Sequence, residues 1–383
     1  MKKALIVASV ASMIDQFNIP NIKLLLDLGY EVDVACNFLE GNTCTDERIA
    51  ELKLKLEAMS VRWFQLDFSR SLVAVGSHVG AYKTLKKLID EGNYDLIHCH
   101  SPIGSIICRL AARKARKKQG TTVIYTAHGF HFYRGAPLKN WLIFYPIEKF
   151  CSRFTDILIT INKEDTQMAL RKMKAKRVVC VSGVGVDTSR FESGTVAREE
   201  MRRSLNIPDD AFLIVSVGEL NSNKNHEVII RAMASLGDKQ IHYCIAGRGH
   251  LEGYLRELSD KLGVGERVHL LGFRTDIPDV YQAADACALP SIREGLPLAA
   301  VEGMASGLPI IVADNRGTRD FSVHLDNAFV CKYDDVEGFA KAIDTLMTDT
   351  ALAESMKNKN KLCAQKYDVA KVNEIMRETY SNG

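Results

Sequence analysis

The sequence predicts an α/β protein built from two Rossmann-like domains, and two observations lead to this prediction. Short apolar runs alternate with helical stretches along the 383 residues, which is typical of parallel sheets with right-handed crossovers. The alternation occurs in two series, separated near residues 183–208 by a stretch rich in glycine, serine and charge. We therefore expect domains at residues 1–185 and 186–365 and a terminal helical segment at 366–383.

The apolar runs define the predicted strands. The first series comprises Ala4–Val10, Glu31–Cys36, Arg62–Leu66, Leu96–Cys99, Thr122–Thr126, Asp156–Ile161 and Arg177–Val181. The second series comprises Ala211–Val217, Ile241–Ala246, Val268–Leu271, Ala284–Leu289 and Pro309–Ala313. A last helix is predicted over Asp368–Tyr380. The N-terminal run resembles a secretion signal, but the early Asp15 and the second strand pattern favour a buried strand.

Composition and charge narrow the class of protein. Hydrophobic residues make up 46% of the chain and charged residues 25%, as in soluble globular proteins, and no apolar run has the length of a membrane span. The ten cysteines lack Cys-x-x-Cys spacing, and some, such as Cys180 and Cys287, lie in apolar runs, which predicts buried free thiols. Residues 1–185 hold 27 Lys/Arg and 17 Asp/Glu, a net of +10, whereas the remainder holds 23 and 30, a net of −7. The basic half is expected to meet an anionic surface.

Two carboxylates, Glu294 and Glu302, lie eight positions apart around a predicted helix start. Pro297 suits the first helical position, and Gly307 suits a stop in the left-handed conformation, so we expect a helix over residues 297–306. A predicted strand leads directly into this loop. The loop therefore opens at the carboxyl end of a strand, where open α/β sheets bind ligands.

The helix start is predicted to bind an anion through the N–H groups of Gly295, Leu296 and Leu298. Two acceptor groups around an N–H-rich turn suit a nucleotide sugar. Glu302 is expected to accept from ribose hydroxyls, the turn to hold the diphosphate, and Glu294 to meet the sugar. The alternative is a surface loop followed by an ordinary amphipathic helix.

The surrounding segments, Glu294-Gly-Leu-Pro and Glu302-Gly-Met-Ala-Ser-Gly-Leu-Pro, resemble the Glu-x7-Glu signature of the family 4 retaining glycosyltransferases. The resemblance covers nearly the whole chain. It implies the GT-B fold, in which two Rossmann-like domains face each other across a cleft and the C-terminal helix crosses back to the first domain. It also implies an acceptor- and membrane-facing N-terminal domain and a nucleotide-sugar-binding C-terminal domain.

A strand-to-helix turn in the second domain adds donor-binding candidates. Gly218 allows a tight turn, and Lys224 near the helix start can neutralise a diphosphate. Relatives usually carry arginine where this chain has Glu219, so one of two expected phosphate cations is missing. Arg248 and Arg293 are the candidates to replace it.

Histidines and one further loop complete the predicted site. The backbone at Gly272 and Phe273 follows a strand end and is expected to meet the nucleotide base, although a plain loop is equally compatible. In the resemblance, His128 matches the histidine of the N-terminal domain that approaches the donor sugar. For His98 and His100 we expect packing or hydrogen bonding rather than a metal site, because no third ligand follows at suitable spacing.

A basic run and an aromatic stretch point to a membrane surface. Six of the ten residues of Arg109–Lys118 are basic; a capped helix end explains some of them, and anionic lipid explains the excess. Nucleic acid is disfavoured because the run lacks interleaved aromatics and a known binding module. Seven of the 29 aromatic residues fall within Phe130–Phe150, either as core or at a membrane interface. The predicted membrane and acceptor contacts are Arg113, Lys114, Arg116, Lys117, Lys118 and Trp141.

Together these features predict a retaining glycosyltransferase, a hexosyl- or N-acetylhexosaminyl-transferase with no metal or other cofactor. The subgroup resemblance implies transfer from a UDP-sugar to a lipid-linked glycan in exopolysaccharide or capsule synthesis, by a cytoplasmic enzyme peripheral on the inner face of the cell membrane. His128 and Glu294 would position and polarise the sugar. A UDP-sugar epimerase of the same fold and a non-catalytic membrane-surface scaffold are the alternatives.

Overall fold

The structure is a computed structural model, and it describes residues 1–42, 44–69, 74–237 and 239–382. The chain divides into two compact units. The N-terminal unit comprises Met1–Val184 together with Val372–Gly383, and the C-terminal unit comprises Gly185–Lys371. The sequence predicts divisions after residues 185 and 365.

The N-terminal unit contains a seven-stranded parallel sheet with the order β3-β2-β1-β4-β5-β6-β7. Its strands are β1 Lys2–Val10, β2 Tyr30–Asn37, β3 Arg62–Gln65, β4 Leu96–His100, β5 Thr122–Ala127, β6 Ile157–Thr160 and β7 Arg177–Cys180. Strand β1 lies inside the sheet, between β2 and β4, because its apolar residues are buried on both faces.

Helices cover both faces of this sheet. They are α1 Ala11–Phe17, α2 Ile19–Asp27, α3 Asp46–Ala58, α4 Val75–Gly92, α5 Pro102–Ala111, α6 Arg113–Lys118, α7 Leu138–Cys151 and α8 Lys163–Lys172. The last helix of the chain, Val369–Ser381, returns to this unit. Its residues Val372, Met376 and Tyr380 are buried against the sheet, which explains the helical spacing of these apolar side chains.

The C-terminal unit contains a six-stranded parallel sheet with the order β10-β9-β8-β11-β12-β13. Its strands are β8 Phe212–Val217, β9 Ile241–Ala246, β10 Val268–Gly272, β11 Ala286–Leu289, β12 Ile310–Ala313 and β13 Ala328–Cys331. Its helices are α9 Arg198–Ser204, α10 His226–Ser235, α11 Glu252–Lys261, α12 Ile277–Ala283, α13 Leu298–Ala305, α14 Val336–Thr348 and α15 Thr350–Ala364. We number the last helix of the chain, Val369–Ser381, α16.

The strand order reverses once in each sheet, between β1 and β4 in the N-terminal unit and between β8 and β11 in the C-terminal unit. Open α/β sheets bind ligands at the carboxyl ends of strands on either side of such a reversal. The loops after β8 and β11 are therefore the first place to look for a site.

The predicted strands are all present, with ends that differ by one or two residues. The sequence analysis missed edge strand β13, which has four residues. All ten cysteines are free thiols, but the expectation that Cys180 is buried is wrong: it lies exposed at the end of edge strand β7. Among the described residues, no helix has both the length and the apolarity needed to cross a bilayer.

Candidate functional site

The loops after β8 and β11 meet in the C-terminal unit through a salt bridge. Lys224 Nζ lies 2.7 Å from Glu294 Oε1, and both side chains are partly buried. Backbone contacts reinforce this pairing, because Ile292 N–H donates to the Asn223 carbonyl at 2.8 Å and the Asn223 amide donates to the Arg293 carbonyl at 3.0 Å. Two residues with separate predicted roles, a phosphate cation and a sugar contact, are therefore brought together at the reversal of the strand order.

The β8–α10 turn explains the position of Lys224. A Cβ atom at Gly218 would lie 3.2 Å from Lys224 Cε, so the glycine leaves room for the lysine stem to pass across the turn. The Asn221 side chain accepts from Lys224 N–H at 3.0 Å, which fixes the backbone before α10. The chain bends at Gly218 directly after β8, and the loop that follows contains Lys224 at the carboxyl end of this strand.

The predicted start of the Glu302 helix is wrong by one residue. Pro297 is not the first helical residue but the N-cap, with φ −79° and ψ 99°, and its carbonyl accepts from Ala300 N–H at 3.0 Å. The extended ψ of Pro297 leaves Leu298 as the first helical residue. Gly307 does follow the helix with φ +75°, as predicted.

Glu302 lies on the second turn of α13, and its side chain is half-buried. It makes no hydrogen bond with any described side chain or backbone N–H, and buried Tyr281 and Cys287 are near it. Burial raises the pKa of Glu302 to about 7, and the Arg190 guanidinium partly opposes that rise. A half-buried acceptor without a described protein donor suits a ligand that brings hydroxyl groups.

A turn after β12 supports the Glu294 loop, and the sequence analysis missed it. Arg316 is buried, and its Nε donates to the Glu294 carbonyl at 3.3 Å. The Asn315 side chain accepts from Gly317 N–H at 3.0 Å, and a Cβ atom at Gly317 would lie 2.9 Å from the Gly295 carbonyl oxygen. The signal for this turn was an Asn-Arg-Gly-Thr sequence directly after a predicted strand, a typical turn composition.

Two exposed arginines lie on loops beside the β8–α10 turn. Leu220 N–H donates to the Arg248 carbonyl at 3.0 Å, so the Arg248 loop packs directly against the segment that contains Glu219. Arg248 and Arg293 are exposed, and neither forms an ion pair with another described residue. Both remain candidates for the missing phosphate cation.

The loop after β10 lies next to the loop that contains Arg248. Gly272 has φ +66°, and its carbonyl accepts from Gly247 N–H at 2.8 Å. The ring of Phe273 is 70% exposed, which is unusual for phenylalanine and leaves it free to contact a base. Leu296, in contrast, is buried, so its predicted contact with a ligand is restricted to the backbone.

His128 follows β5 in the N-terminal unit and contacts another histidine. His100 Nδ1 lies 3.2 Å from His128 Nε2, and the two rings line a small pocket together with Phe17 and Asn373. Burial lowers the pKa of His128 to about 4, so the ring is neutral near pH 7. The described residues contain no cluster of three metal-binding side chains. The expectation that His98 and His100 are packed and hydrogen-bonded is confirmed.

The sequence predicts that the basic run Arg109–Lys118 is one exposed helix end, and this prediction is wrong. The run spans two helices, and Arg109 is buried, with Nη2 2.8 Å from Glu148 Oε2. Arg116 also has a partner within the protein, because its Nε lies 2.9 Å from Asp156 Oδ2 and most of its side chain is buried. The cations that stay exposed on α6 are Arg113, Lys114, Lys117 and Lys118.

The aromatic residues of the predicted membrane stretch mostly face the core. Phe130 and Phe132 are buried, and partly buried Trp141 packs on Phe132 and donates its indole N–H to the Tyr133 carbonyl at 3.2 Å. Trp141 is therefore not free to insert into a membrane. The exposed side of α7 carries instead the large apolar side chains of Leu138, Leu142, Ile143, Ile147 and Phe150.

Comparison with known proteins gives the family. Residues 7–162 match the model of the glycosyl transferase 4-like family, and residues 197–362 match that of the glycosyl transferases group 1. The chain is 38% identical to a putative glycosyltransferase, EpsD, of Bacillus subtilis, over 99% of this chain and 96% of that protein. The chain belongs to glycosyltransferase family 4.

Further relatives of this glycosyltransferase agree with its fold. An Escherichia coli protein named UDP-Gal:α-D-GlcNAc-diphosphoundecaprenol α-1,3-galactosyltransferase is 27% identical over 78% of each chain. Among solved structures, Anabaena HepE is similar over the whole of both chains, with a TM-score of 0.78 at 20% identity. The lipopolysaccharide glycosyltransferase WaaG has a TM-score of 0.74 at 16% identity and 99% coverage of this chain. The GT-B fold class is therefore confirmed.

Proposed function

We propose that this glycosyltransferase retains the configuration of a sugar that it moves from a UDP-sugar to a lipid-linked glycan acceptor in cell-surface polysaccharide synthesis. The observation that carries the proposal is the carboxyl group of Glu302, which has no hydrogen-bond donor beside the joined loops after β8 and β11. The relatives support the choice of ligands. HepE was crystallised with UDP and glucose, and the name of the E. coli relative gives UDP-Gal as donor and a diphosphoundecaprenol-linked sugar as acceptor.

The nucleotide is assigned to three groups of the C-terminal unit. Glu302 accepts from both ribose hydroxyls, which a half-buried carboxylate binds through charge-assisted hydrogen bonds. Gly272 and exposed Phe273 contact the base. The backbone of Gly295 and Leu296, next to the start of α13, meets the diphosphate.

Lys224 changes partner in this proposal. In the ligand-free protein its ammonium group binds Glu294 at 2.7 Å. A diphosphate offers more negative charge than one carboxylate, so it competes for Lys224 and leaves Glu294 able to accept hydrogen bonds from the sugar. Arg248, on the loop packed against Glu219, supplies the second phosphate cation.

The reaction then needs stabilisation of the leaving diphosphate more than a protein nucleophile. An acceptor hydroxyl oxygen bonds to the anomeric carbon on the face from which UDP leaves, the bond to the β-phosphate oxygen breaks, and the hydroxyl proton passes to that phosphate. Lys224 and Arg248 bind the growing negative charge. For His128 we keep the sugar-contacting role that the resemblance implies. Because cations of the chain serve the diphosphate, we expect transfer to persist in EDTA.

A panel of UDP- and GDP-sugars tests the proposal. We expect calorimetry to show binding of UDP and of one UDP-sugar, and transfer only when a lipid-linked acceptor is added. An epimer formed without acceptor would indicate the epimerase instead, and an absence of nucleotide binding would indicate the scaffold.

We further propose that the N-terminal unit binds an anionic membrane through the exposed side of α7. Its five large apolar side chains form a patch of the kind that partners cover, and Pro146 between them is also exposed. Arg153 lies over the Phe150 ring and Arg113 over the Phe154 ring, so the cations of α6 adjoin this patch. Residues 101–150 contain one acidic residue, Glu148, which is buried. An apolar surface bordered by cations fits anionic lipid headgroups.

Vesicle flotation tests whether the exposed side of α7 binds anionic lipid. We expect binding to phosphatidylglycerol vesicles, and not to phosphatidylcholine vesicles, at low salt, with loss at high salt. The double variant Leu142→Ser/Phe150→Ser should abolish it. The control Leu54→Ser/Leu170→Ser changes two leucines, 66% and 65% exposed, on α3 and α8 of the same unit, and it should bind normally. Equal binding by both double variants would contradict the proposal.

A further inference from the structure

Three histidines lie close together in the N-terminal unit, and their nitrogen atoms differ in their partners. His98 is fully hydrogen-bonded, with Nδ1 2.8 Å from Tyr380 Oη and Nε2 2.8 Å from Thr126 Oγ1. His100 Nδ1 lies 3.2 Å from His128 Nε2. The other nitrogen of His100, Nε2, is buried and has no hydrogen-bond partner among the described residues.

Both rings of the His100–His128 pair are neutral near pH 7. Burial lowers the pKa of His100 well below its usual range and that of His128 to about 4. A neutral imidazole carries one proton, on either Nδ1 or Nε2, and therefore has one donor and one acceptor. The contact between the two rings thus permits only two arrangements of protons.

The unpartnered nitrogen distinguishes these arrangements. If His128 Nε2–H were the donor, His100 Nδ1 would be the acceptor and the His100 proton would lie on Nε2, as a buried N–H without an acceptor. If His100 Nδ1–H is the donor, His100 Nε2 is only an unused lone pair. A buried unpaired N–H is the rarer and costlier defect in folded proteins. The second arrangement is therefore favoured.

We propose that His100 is a positioning residue that holds His128 as the Nδ1–H tautomer. The hydrogen bond at one ring nitrogen sets the proton on the other, so His128 meets its ligand as a hydrogen-bond donor through Nδ1. This proposal deepens the proposed function, because it assigns His128 the task of donating to an oxygen of the transferred sugar. It excludes His128 as the base that takes the acceptor proton, since its basic nitrogen is occupied by His100.

The tautomer can be measured without any substrate. Two-bond ¹⁵N–¹H correlation spectra of protein labelled with ¹⁵N-histidine distinguish a protonated Nδ1 from a protonated Nε2, and the variant His128→Gln assigns the signal. We expect the His128 proton on Nδ1. A proton on Nε2 overturns the proposal, whatever the protein transfers, so this result is independent of the proposed function.

Two variants of His100 test the functional consequence. The amide nitrogen of asparagine takes the place of imidazole Nδ1, so His100→Asn should keep the donor, the His128 tautomer and most of kcat. His100→Leu removes the donor and should lower kcat by about tenfold or more, with little change in KM for the UDP-sugar, as when the partner that orients a functional histidine is lost. Equal kcat values for the two variants overturn the proposal.

The control variant is Tyr380→Phe, which removes a buried hydrogen bond from the neighbouring His98. It should lower Tm and leave both kcat and the His128 tautomer unchanged. If it lowers kcat as much as His100→Leu does, the effect reflects general loosening of the histidine cluster, and the positioning role is wrong.

Discussion

The two units present opposite kinds of polar site. In the C-terminal unit the site is built from charges, with the Lys224–Glu294 pair and the half-buried carboxyl of Glu302. In the N-terminal unit it is built from neutral rings, where His100 and His128 contact each other and burial keeps both uncharged. Charged groups bind and stabilise a diphosphate, whereas a neutral donor orients without attracting ions. We therefore expect substitutions in the C-terminal unit to change nucleotide affinity, with one exception that sharpens the comparison.

That exception is Glu294, for which we predict the largest effect. Glu294→Gln should lower kcat by about 100-fold or more, because a group that contacts the reacting sugar acts mainly in the transition state. Its effect on UDP affinity should be small, since Lys224 loses a competing carboxylate rather than a ligand contact. Transfer rates and UDP calorimetry check both parts. Loss of UDP binding as large as that in Glu302→Gln would remove the distinction between the two carboxylates.

Lys224→Ala is expected to have the second-largest effect, and it tests the contact with the diphosphate separately from the contact with the nucleoside. It should weaken UDP by about 10- to 100-fold, the loss expected for a charge-assisted hydrogen bond, while uridine binding changes little. The control Lys261→Ala removes an exposed lysine of the same unit, on α11, and should affect neither ligand. Equal losses for UDP and uridine in Lys224→Ala would remove Lys224 from the phosphate site.

Glu302→Gln should act on the nucleoside instead. We expect it to weaken uridine and UDP alike, by about tenfold, because ribose is common to both. In the wild type the carboxyl group has a raised pKa of about 7, and its ionised form accepts the stronger, charge-assisted hydrogen bonds from the ribose hydroxyls. Uridine affinity should therefore fall as the pH drops from 8 to 6, and Glu302→Gln should lose this dependence. A pH dependence that persists in the variant would assign it to another group.

The smallest predicted effect is on the thermal stability of the ligand-free protein. The pKa of Glu302 is about 7 in the folded protein and about 4.3 when unfolded, so the folded state favours the protonated form. The stability from this group is full below pH 4.3 and is lost as the pH rises through 7. Glu302→Gln should raise Tm by a few degrees at pH 8 and change it little at pH 4.5. A lower Tm at pH 8 would indicate a protein partner for this carboxylate.

The sequence by itself determined the two Rossmann-like series, because apolar runs of strand length alternate with helical segments wherever a parallel sheet is buried on both faces. It also determined that the helix of Glu302 ends before Gly307, since glycine readily adopts the left-handed conformation that stops a helix. Family resemblance added His128 and the donor site to these local signals.

Only the tertiary structure decided which of these residues share a partner. The Lys224–Glu294 salt bridge joins positions 70 residues apart, and the burial of Arg109 depends on Glu148, which is 39 residues away. In the tertiary structure the aromatic side of α7 faces the core and the aliphatic side is exposed. This contradicts the prediction that Trp141 contacts a membrane. Composition gives the charge and apolarity of a segment, but the direction of each side chain is set by the neighbours that the fold brings to it.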